Sequence, residues 1–261
     1  MGLDKPVYLQ YWTWLTAVVT GEWGRSLVMK QPITTLIALR LKNSAFLAVT
    51  ALLSVVVLGI PLGVWAAIKR GTRLDLFLTA GSYLGISLPE FVTGTLLILL
   101  LAGPPLRLLP SGGYHAFTDN WMLWLKHLVL PTTTLTILLL AHVVRQTRSG
   151  MIDVLQSAYI RTAYLKGLPQ RTVIVKHALK NGLLPTITVL AMDLGYLMGS
   201  IVIVEEVFAY PGMGRLIVLA IQNRDIPLVQ MAVLLIAVIY AGANFVADLL
   251  YTYLDPRIRY D

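Results

Sequence analysis

Two carboxylates stand where carboxylates are costly. Glu90 follows Pro89 inside the apolar run from about Leu76 to Ala102, and Asp193 lies midway through Asn181 to Val204. An ionisable side chain in a bilayer costs at least about 2–3 kcal/mol, so it normally faces a cavity or a partner. Both residues are therefore candidates for lining a path in which a carboxylate meets an ammonium group or a metal cation. The plainer reading is a hydrogen bond to a neighbouring helix. Paired carboxylates could also work as acid and base, if they faced one another about 5–10 Å apart. Asn244 and Asp248, one turn apart, can bond each other and are expected to be structural. His115, His127, His142 and His177 are scattered and make no metal-ligand spacing, so no metal site is expected. The absence of cysteine excludes disulfides, iron–sulfur clusters and thiol catalysis. No Gly-x-x-x-x-Gly-Lys-Ser/Thr, His-Glu-x-x-His or Gly-x-Ser-x-Gly occurs. The chain is therefore expected to bind no nucleotide or other cofactor and to carry no catalytic residues.

The elements that must position these residues are apolar helices. Of 261 residues 57% are apolar and only 13% charged, with a mean hydropathy of +0.73. A water-soluble domain carries about a quarter charged residues, so this chain cannot coat a soluble surface. Between Lys42 and Lys69 lie 26 uncharged residues, enough for a bilayer core that needs roughly 20. Further spans are expected over about Leu76–Ala102, from His127 to Arg145, over Asn181–Val204 and from Ile226 to about Leu254. The fold class is all-α, a polytopic membrane bundle of five transmembrane helices. Glu90 stands fifteen residues after Asp75, about 22 Å further along a straight helix. Gly195 and Gly199 are spaced for close helix packing beside Asp193.

Lys and Arg set the orientation. Alternating links place Lys69, Arg70, Arg73, Arg145, Arg148, Arg161, Lys166, Arg171, Lys176, Lys180, Arg257 and Arg259 on one side. Those are twelve of the 21 basic residues, so that side is cytoplasmic and includes the C-terminus. The net charge of +8 then reflects membrane orientation, with no nucleic-acid partner expected. Residues 1–42 become an extracytoplasmic N-terminal segment and 43–261 a transmembrane domain with a cytoplasmic loop over about 145–182. Met1 to Gln10 has no apolar core of signal-peptide length, so either the chain inserts unusually or a further helix precedes this sequence, and the second is expected.

Four regions, the first in two pieces, resemble one family. Ala158-Tyr-Ile-Arg-Thr-Ala-Tyr-Leu-Lys-Gly-Leu-Pro169 and His177-Ala-Leu-Lys-Asn-Gly-Leu-Leu-Pro185 resemble the coupling loop of bacterial ABC importer permeases. Gly21-Glu-Trp-Gly-Arg-Ser26, Val204-Glu-Glu-Val-Phe-Ala-Tyr-Pro-Gly-Met-Gly-Arg215 and Asp248-Leu-Leu-Tyr-Thr-Tyr-Leu-Asp-Pro-Arg257 resemble the dipeptide, oligopeptide and nickel branch. The general pattern Glu-Ala-Ala, three residues, Gly is here Arg161-Thr162-Ala163 before Gly167, a departure usual in that branch. The family begins with a helix that this sequence lacks.

The resemblance implies a non-catalytic permease of the bacterial inner membrane that passes peptides, or a nickel chelate. Its implied partners are a second homologous permease, two ATPase subunits using ATP and magnesium, and an extracytoplasmic solute-binding protein. Tyr159, Arg161, Thr162, Ala163, Lys166 and Gly167 would form the ATPase-coupling segment. Ile152–Leu165 is expected as one stiff helix with Leu155, Ala158, Tyr159 and Thr162 along a face, closed at Gly167. A basic loop resting on anionic headgroups is the alternative. Residues 205–225 are expected to return as a re-entrant or surface helix. Within it, Tyr210, Pro211, Gly212, Gly214 and Arg215 are candidates for docking the binding protein, and a simple outer loop is the alternative. Other functions open to the residues alone are an intramembrane enzyme or a secondary transporter using Glu90 and Asp193.

Overall fold

The computed structural model describes residues 6–254, with side chains described to residue 249. Arg257, Arg259 and the Asp255–Arg257 end of the tail motif lie outside the described residues. In chain order the helices are α1 (Val7–Thr20), α2 (Ile33–Ile68), α3 (Arg73–Ser87) and α4 (Glu90–Leu97), which continues as a π-helical turn over Ile98–Ala102. Then come α5 (Trp121–Leu155), α6 (Ala158–Leu165) and the short α7 (Gln170–Thr172), carried on by a π-helical stretch Val173–Ala178 into α8 (Leu179–Gly182). Last are α9 (Leu184–Val207), α10 (Met213–Gln222) and α11 (Ile226–Leu254). An isolated Arg25–Pro32 bridge is the sole β pairing among the described residues.

Four helices, α2, α5, α9 and α11, are long and apolar enough to cross a membrane unbroken. The pair α3 and α4 is apolar enough only when taken together and is bent by 108°, so the described residues hold four such spans, or five with this pair counted as one. Proline makes that break. The residue before a proline is pushed out of the helical region, and Leu88 is extended at φ −97°, ψ 125°. Glu90 therefore does not stand 22 Å up a straight helix from Asp75, and the bend redirects it towards α9. Pro61 and Pro131, in contrast, sit inside α2 and α5.

Helices outrun their charge-free stretches. α2 starts at Ile33, ten residues before Asn43, because no helix breaker intervenes after Pro32. α5 starts at Trp121, where the Asn120 carboxamide oxygen accepts from the Met122 and Leu123 N–H groups. It runs through Arg145 and Arg148 to Leu155, so both cations belong to a helix. The charge-free run marks the bilayer core, while the helix ends where its capping chemistry does.

Packing brings α5 to the centre. Its buried Leu135, Leu139 and Val143 join Leu47, Val55, Leu197 and Phe208 in the main core. A second core at the end opposite the basic loops gathers Ile33, Ile37, Met213, Leu216 and Leu228. A third, at the basic end, gathers Ala67, Met151, Ile160, Ala163, Val173 and Ala178. Leu53, Val57, Phe77, Leu84 and Val238 are exposed, an apolar exterior of the kind that lipid accepts. Of the two glycines expected to pack closely, Gly195 does so, against the Asn244 carboxamide of α11. Gly199 faces open space instead, because it points away from the helices that grip α9.

Candidate functional site

The structure draws Glu90 and Asp193 into one polar cluster between α4, α5 and α9. Glu90 Oε1 accepts from the Ser200 hydroxyl at 2.8 Å and from the Tyr196 hydroxyl at 3.3 Å. Asp193 Oδ1 lies 3.1 Å from His142 Nδ1 on α5, and the His142 and Tyr196 rings meet edge-on with centroids 6.3 Å apart. Tyr196 thus stands between the two carboxylates. Asp193 is buried, and its Oδ2 has no hydrogen-bond partner among the described residues. A buried acceptor left unpaired costs roughly 1–3 kcal/mol, so the site is poised to accept one more donor. Tyr196 is 49% exposed and Glu90 half-buried, which leaves the cluster open along one side of α9. Among the described residues no three His, Asp or Glu groups come together to hold a metal.

The sequence reading missed His142, Tyr196 and Ser200. Tyr196 and Ser200 follow Asp193 by three and seven residues and so share its helix face, which is a signal the sequence did contain. His142 had no such mark, since its partner lies on another helix.

At the basic end, the expected helix Ile152–Leu165 is two helices. α5 ends at Leu155, Ser157 turns extended at φ −68°, ψ 154°, and α6 begins at Ala158. The Ser157 hydroxyl donates to the Val154 carbonyl at 2.6 Å, competing with continuation of the helix. Ile160 and Ala163 anchor α6 in the third core, whereas Tyr159, Arg161, Thr162, Lys166 and Gly167 are exposed. Leu165 is 88% exposed, an unusual position for a leucine outside a bilayer-spanning helix. Gly167 closes the segment at φ 75°, the left-handed conformation that glycine adopts freely. Asn181 Nδ2 donates to the Tyr159 hydroxyl at 3.0 Å, tying α6 to α8.

At the opposite end, Glu205 closes α9 onto α10. Its carboxylate is fully buried and accepts from the Ser44 hydroxyl at 2.5 Å and the N–H groups of Gly214 and Arg215 at 2.7 and 3.3 Å. The last two are in the first turn of α10, where the carboxyl oxygen meets the positive end of the helix dipole. Ser44 also accepts from the Met213 N–H at 2.8 Å, and Asn43 Nδ2 donates to the Pro211 carbonyl at 2.9 Å. Arg215 donates to the Ala209 carbonyl. Tyr210, Gly212 and Gly214 are buried in this junction, while Pro211 and Arg215 are half-buried. Burial raises the Tyr210 phenol above its ordinary pKa, and its hydroxyl donates to the Asn43 carbonyl at 3.3 Å. α10 is a packed helix between α9 and α11 on this end of the bundle.

Nearby, the Ser26 hydroxyl and the Leu27 and Val28 N–H groups donate to Asp225, just before α11. Burial alone would raise that carboxyl, but these hydrogen bonds outweigh it and leave the pKa below the ordinary value.

Comparison with known proteins adds the following. A family model described as "binding-protein-dependent transport system inner membrane component" matches residues 59–260. The chain is 39% identical to the probable peptide ABC transporter permease protein y4tP of Sinorhizobium fredii, over 100% of this chain and 83% of that protein. It is 37% identical to the oligopeptide transport system permease protein AppB of Bacillus subtilis, over 99% of this chain and 83% of that one. The glutathione transport system permease protein GsiC of Salmonella typhimurium is 36% identical, over 100% and 82%. Among solved structures, an inward-facing MetNI methionine ABC transporter chain superposes with TM-score 0.69 at 14% identity, covering 86% of this chain and 99% of that one. A chain of an amino acid ABC transporter matches with TM-score 0.56 at 15% identity, covering 86% and 95%. At these identities the solved structures speak for the fold.

Proposed function

Since the chain belongs to the family of binding-protein-dependent transport system inner membrane components, we propose that it forms one half of the peptide path of an ATP-driven importer. It is a multi-pass inner-membrane permease, and that membership sets aside the intramembrane-enzyme and secondary-transporter readings. The observation that carries the proposal is α6. Two side chains, Ile160 and Ala163, seat it in the core shared with Ala67, Met151, Val173 and Ala178, while Tyr159, Arg161, Thr162, Leu165 and Lys166 stand outwards. A short helix held stiffly at one side and bare at the other is suited to being gripped. We assign the grip to two ATPase subunits, which hydrolyse ATP with magnesium, and place the basic end and the C-terminus in the cytoplasm. A second homologous permease would complete the path, and an extracytoplasmic binding protein would deliver cargo beside Pro211 and Arg215.

Peptide is favoured over a nickel chelate by the relatives named for peptides, oligopeptides and glutathione. The chemistry of the Glu90–Asp193 cluster agrees, because a peptide brings an ammonium group that can donate to an unpaired carboxylate oxygen. The test is reconstitution in vesicles with the ATPase subunits and binding protein, using radiolabelled trialanine. Uptake should require ATP, and Arg161→Glu with Lys166→Glu should weaken co-purification of the ATPase by about tenfold. Uptake driven by a proton gradient alone would refute the proposal. Glu90→Gln or Asp193→Asn should lower uptake with assembly intact; unchanged uptake in both would remove them from the path.

A further inference from the structure

α3 leads to the Leu88–Pro89 bend and so to Glu90, yet it is scarcely buried. Of its fifteen residues only Asp75 and Gly85 are enclosed, and both meet α5. Arg148 grips Asp75 with two donors, Nε to Oδ1 at 2.5 Å and Nη2 to Oδ2 at 2.8 Å. The Gly71 N–H at 3.0 Å and the Thr79 hydroxyl at 3.4 Å complete the carboxylate's shell. At Gly85 the helices approach so closely that a Cβ would come 3.1 Å from the Ile137 carbonyl oxygen and 3.6 Å from Ala141 Cβ.

From Arg148, α5 continues unbroken to Leu155 and passes through Gln156 and Ser157 into α6. Met151, three residues after Arg148, lies in the same core as Ile160 and Ala163. α3, the end of α5 and α6 are therefore one mechanically connected body. Beyond the bend α4 meets α9 as well as α5, and Glu90 is held by Ser200 and Tyr196 on α9.

We infer that the Asp75–Arg148 pair is the tie that makes α3 follow α6, so that Leu88–Pro89 is the hinge at which movement of the coupling helix shifts Glu90. A two-donor Arg–carboxylate pair fixes angle as well as distance, whereas a single hydrogen bond swivels. Neither residue touches cargo; both are positioning residues. The inference rests on the reading of this chain as an ATP-driven permease.

The quantity to measure is trialanine taken up per ATP hydrolysed, in the reconstituted complex with its ATPase, second permease and binding-protein subunits. Asp75→Asn and Arg148→Lys should each leave assembly and ATP hydrolysis in place while that yield falls by about tenfold, a typical size for coupling between sites. The double variant should fall no further than either single. An unchanged yield in a single variant, or losses that multiply in the double, would overturn the tie.

The chain has no cysteine of its own, so an introduced pair is the sole cysteine pair within it and serves as a second arm. Gly85→Cys with Ala141→Cys places two sulfurs on carbons 3.6 Å apart, within the disulfide range of about 3.5–4.5 Å. Oxidising this pair should leave the yield equal to that of the reduced form, and should restore the Asp75→Asn variant to within about twofold of it. Loss of uptake on oxidation, recovered by reductant, would mean that α3 must slide on α5 and would also overturn the tie. This arm decides the matter even where Asp75→Asn fails to assemble. Absence of ATP-dependent uptake in the unaltered complex would instead refute the permease reading.

Discussion

Glu205 offers the sharpest test of how this bundle is held together. It is fully buried and has three donors aimed at it: the Ser44 hydroxyl at one carboxyl oxygen and two N–H groups of α10 at the other. The replacement Glu205→Gln keeps the shape but puts an NH2 donor where one of those oxygens accepts. The Gln oxygen can keep the Gly214 and Arg215 N–H groups, while the Ser44 hydroxyl loses its acceptor. A buried hydrogen bond lost with its partner left unsatisfied costs about 1–3 kcal/mol, centrally about 2 kcal/mol. For a chain of this size that lowers the thermal midpoint by roughly 4–8 °C, read as loss of the intact monodisperse chain on heating in detergent. Glu206, the next residue, is exposed, and Glu206→Gln should move the midpoint by less than about 0.5 kcal/mol equivalent. Ser44→Ala should destabilise by about 1–2 kcal/mol, and its effect should not add to that of Glu205→Gln, since the two share a bond. A Glu205→Gln midpoint equal to that of Glu206→Gln, or higher than the parent's, would refute the reasoning. It would mean that the Ser44 bond to Glu205 contributes nothing to stability.

Three further outcomes are expected. Asp225 has a pKa lower in the folded state than its ordinary value near 4, so its contribution is complete above that value and is lost as pH falls below it. Hydrogen exchange at the Leu27 and Val28 amides should therefore accelerate below about pH 4, and Asp225→Asn should exchange fast at every pH. At Gly150 a Cβ would overlap the Gly182 carbonyl oxygen, so Gly150→Ala should force α5 and α8 apart at a cost of about 1–3 kcal/mol, seen as a lower midpoint in the same heating assay. A cysteine introduced at exposed Thr118 should react with membrane-impermeant reagents applied outside, and one at Ser157 should not; the reverse pattern would invert the proposed orientation.

The parts of this protein legible in its sequence are those set by composition and local chemistry. The charge-free runs located the four unbroken apolar spans and the bent pair α3–α4, since lipid tolerates neither charge nor unpaired backbone. Gly167 ended its helix as expected. The turn at Tyr210–Gly214 led into a short packed helix, and Ile226–Leu254 has the expected bounds. Less was legible where an element's end depends on capping. α2 and α5 extend well beyond their apolar cores, and the predicted Ile152–Leu165 helix breaks at Ser157. The straight path from Asp75 to Glu90 failed for a visible reason, Pro89, whose bend angle no spacing rule supplies.

By itself the sequence determined that this chain lives in a membrane, where its apolar spans lie, which end is basic and which stretches carry family patterns. Each follows from residue type and short-range spacing. Only the tertiary structure decided which polar groups meet: His142 with Asp193, Arg148 with Asp75, Ser44 with Glu205, Ser26 with Asp225. These partners lie between 51 and 199 residues apart in the chain. A buried charge must find a donor, and the sequence states that need. Which helix answers it is settled by how the helices cross, and that depends on all their packing at once.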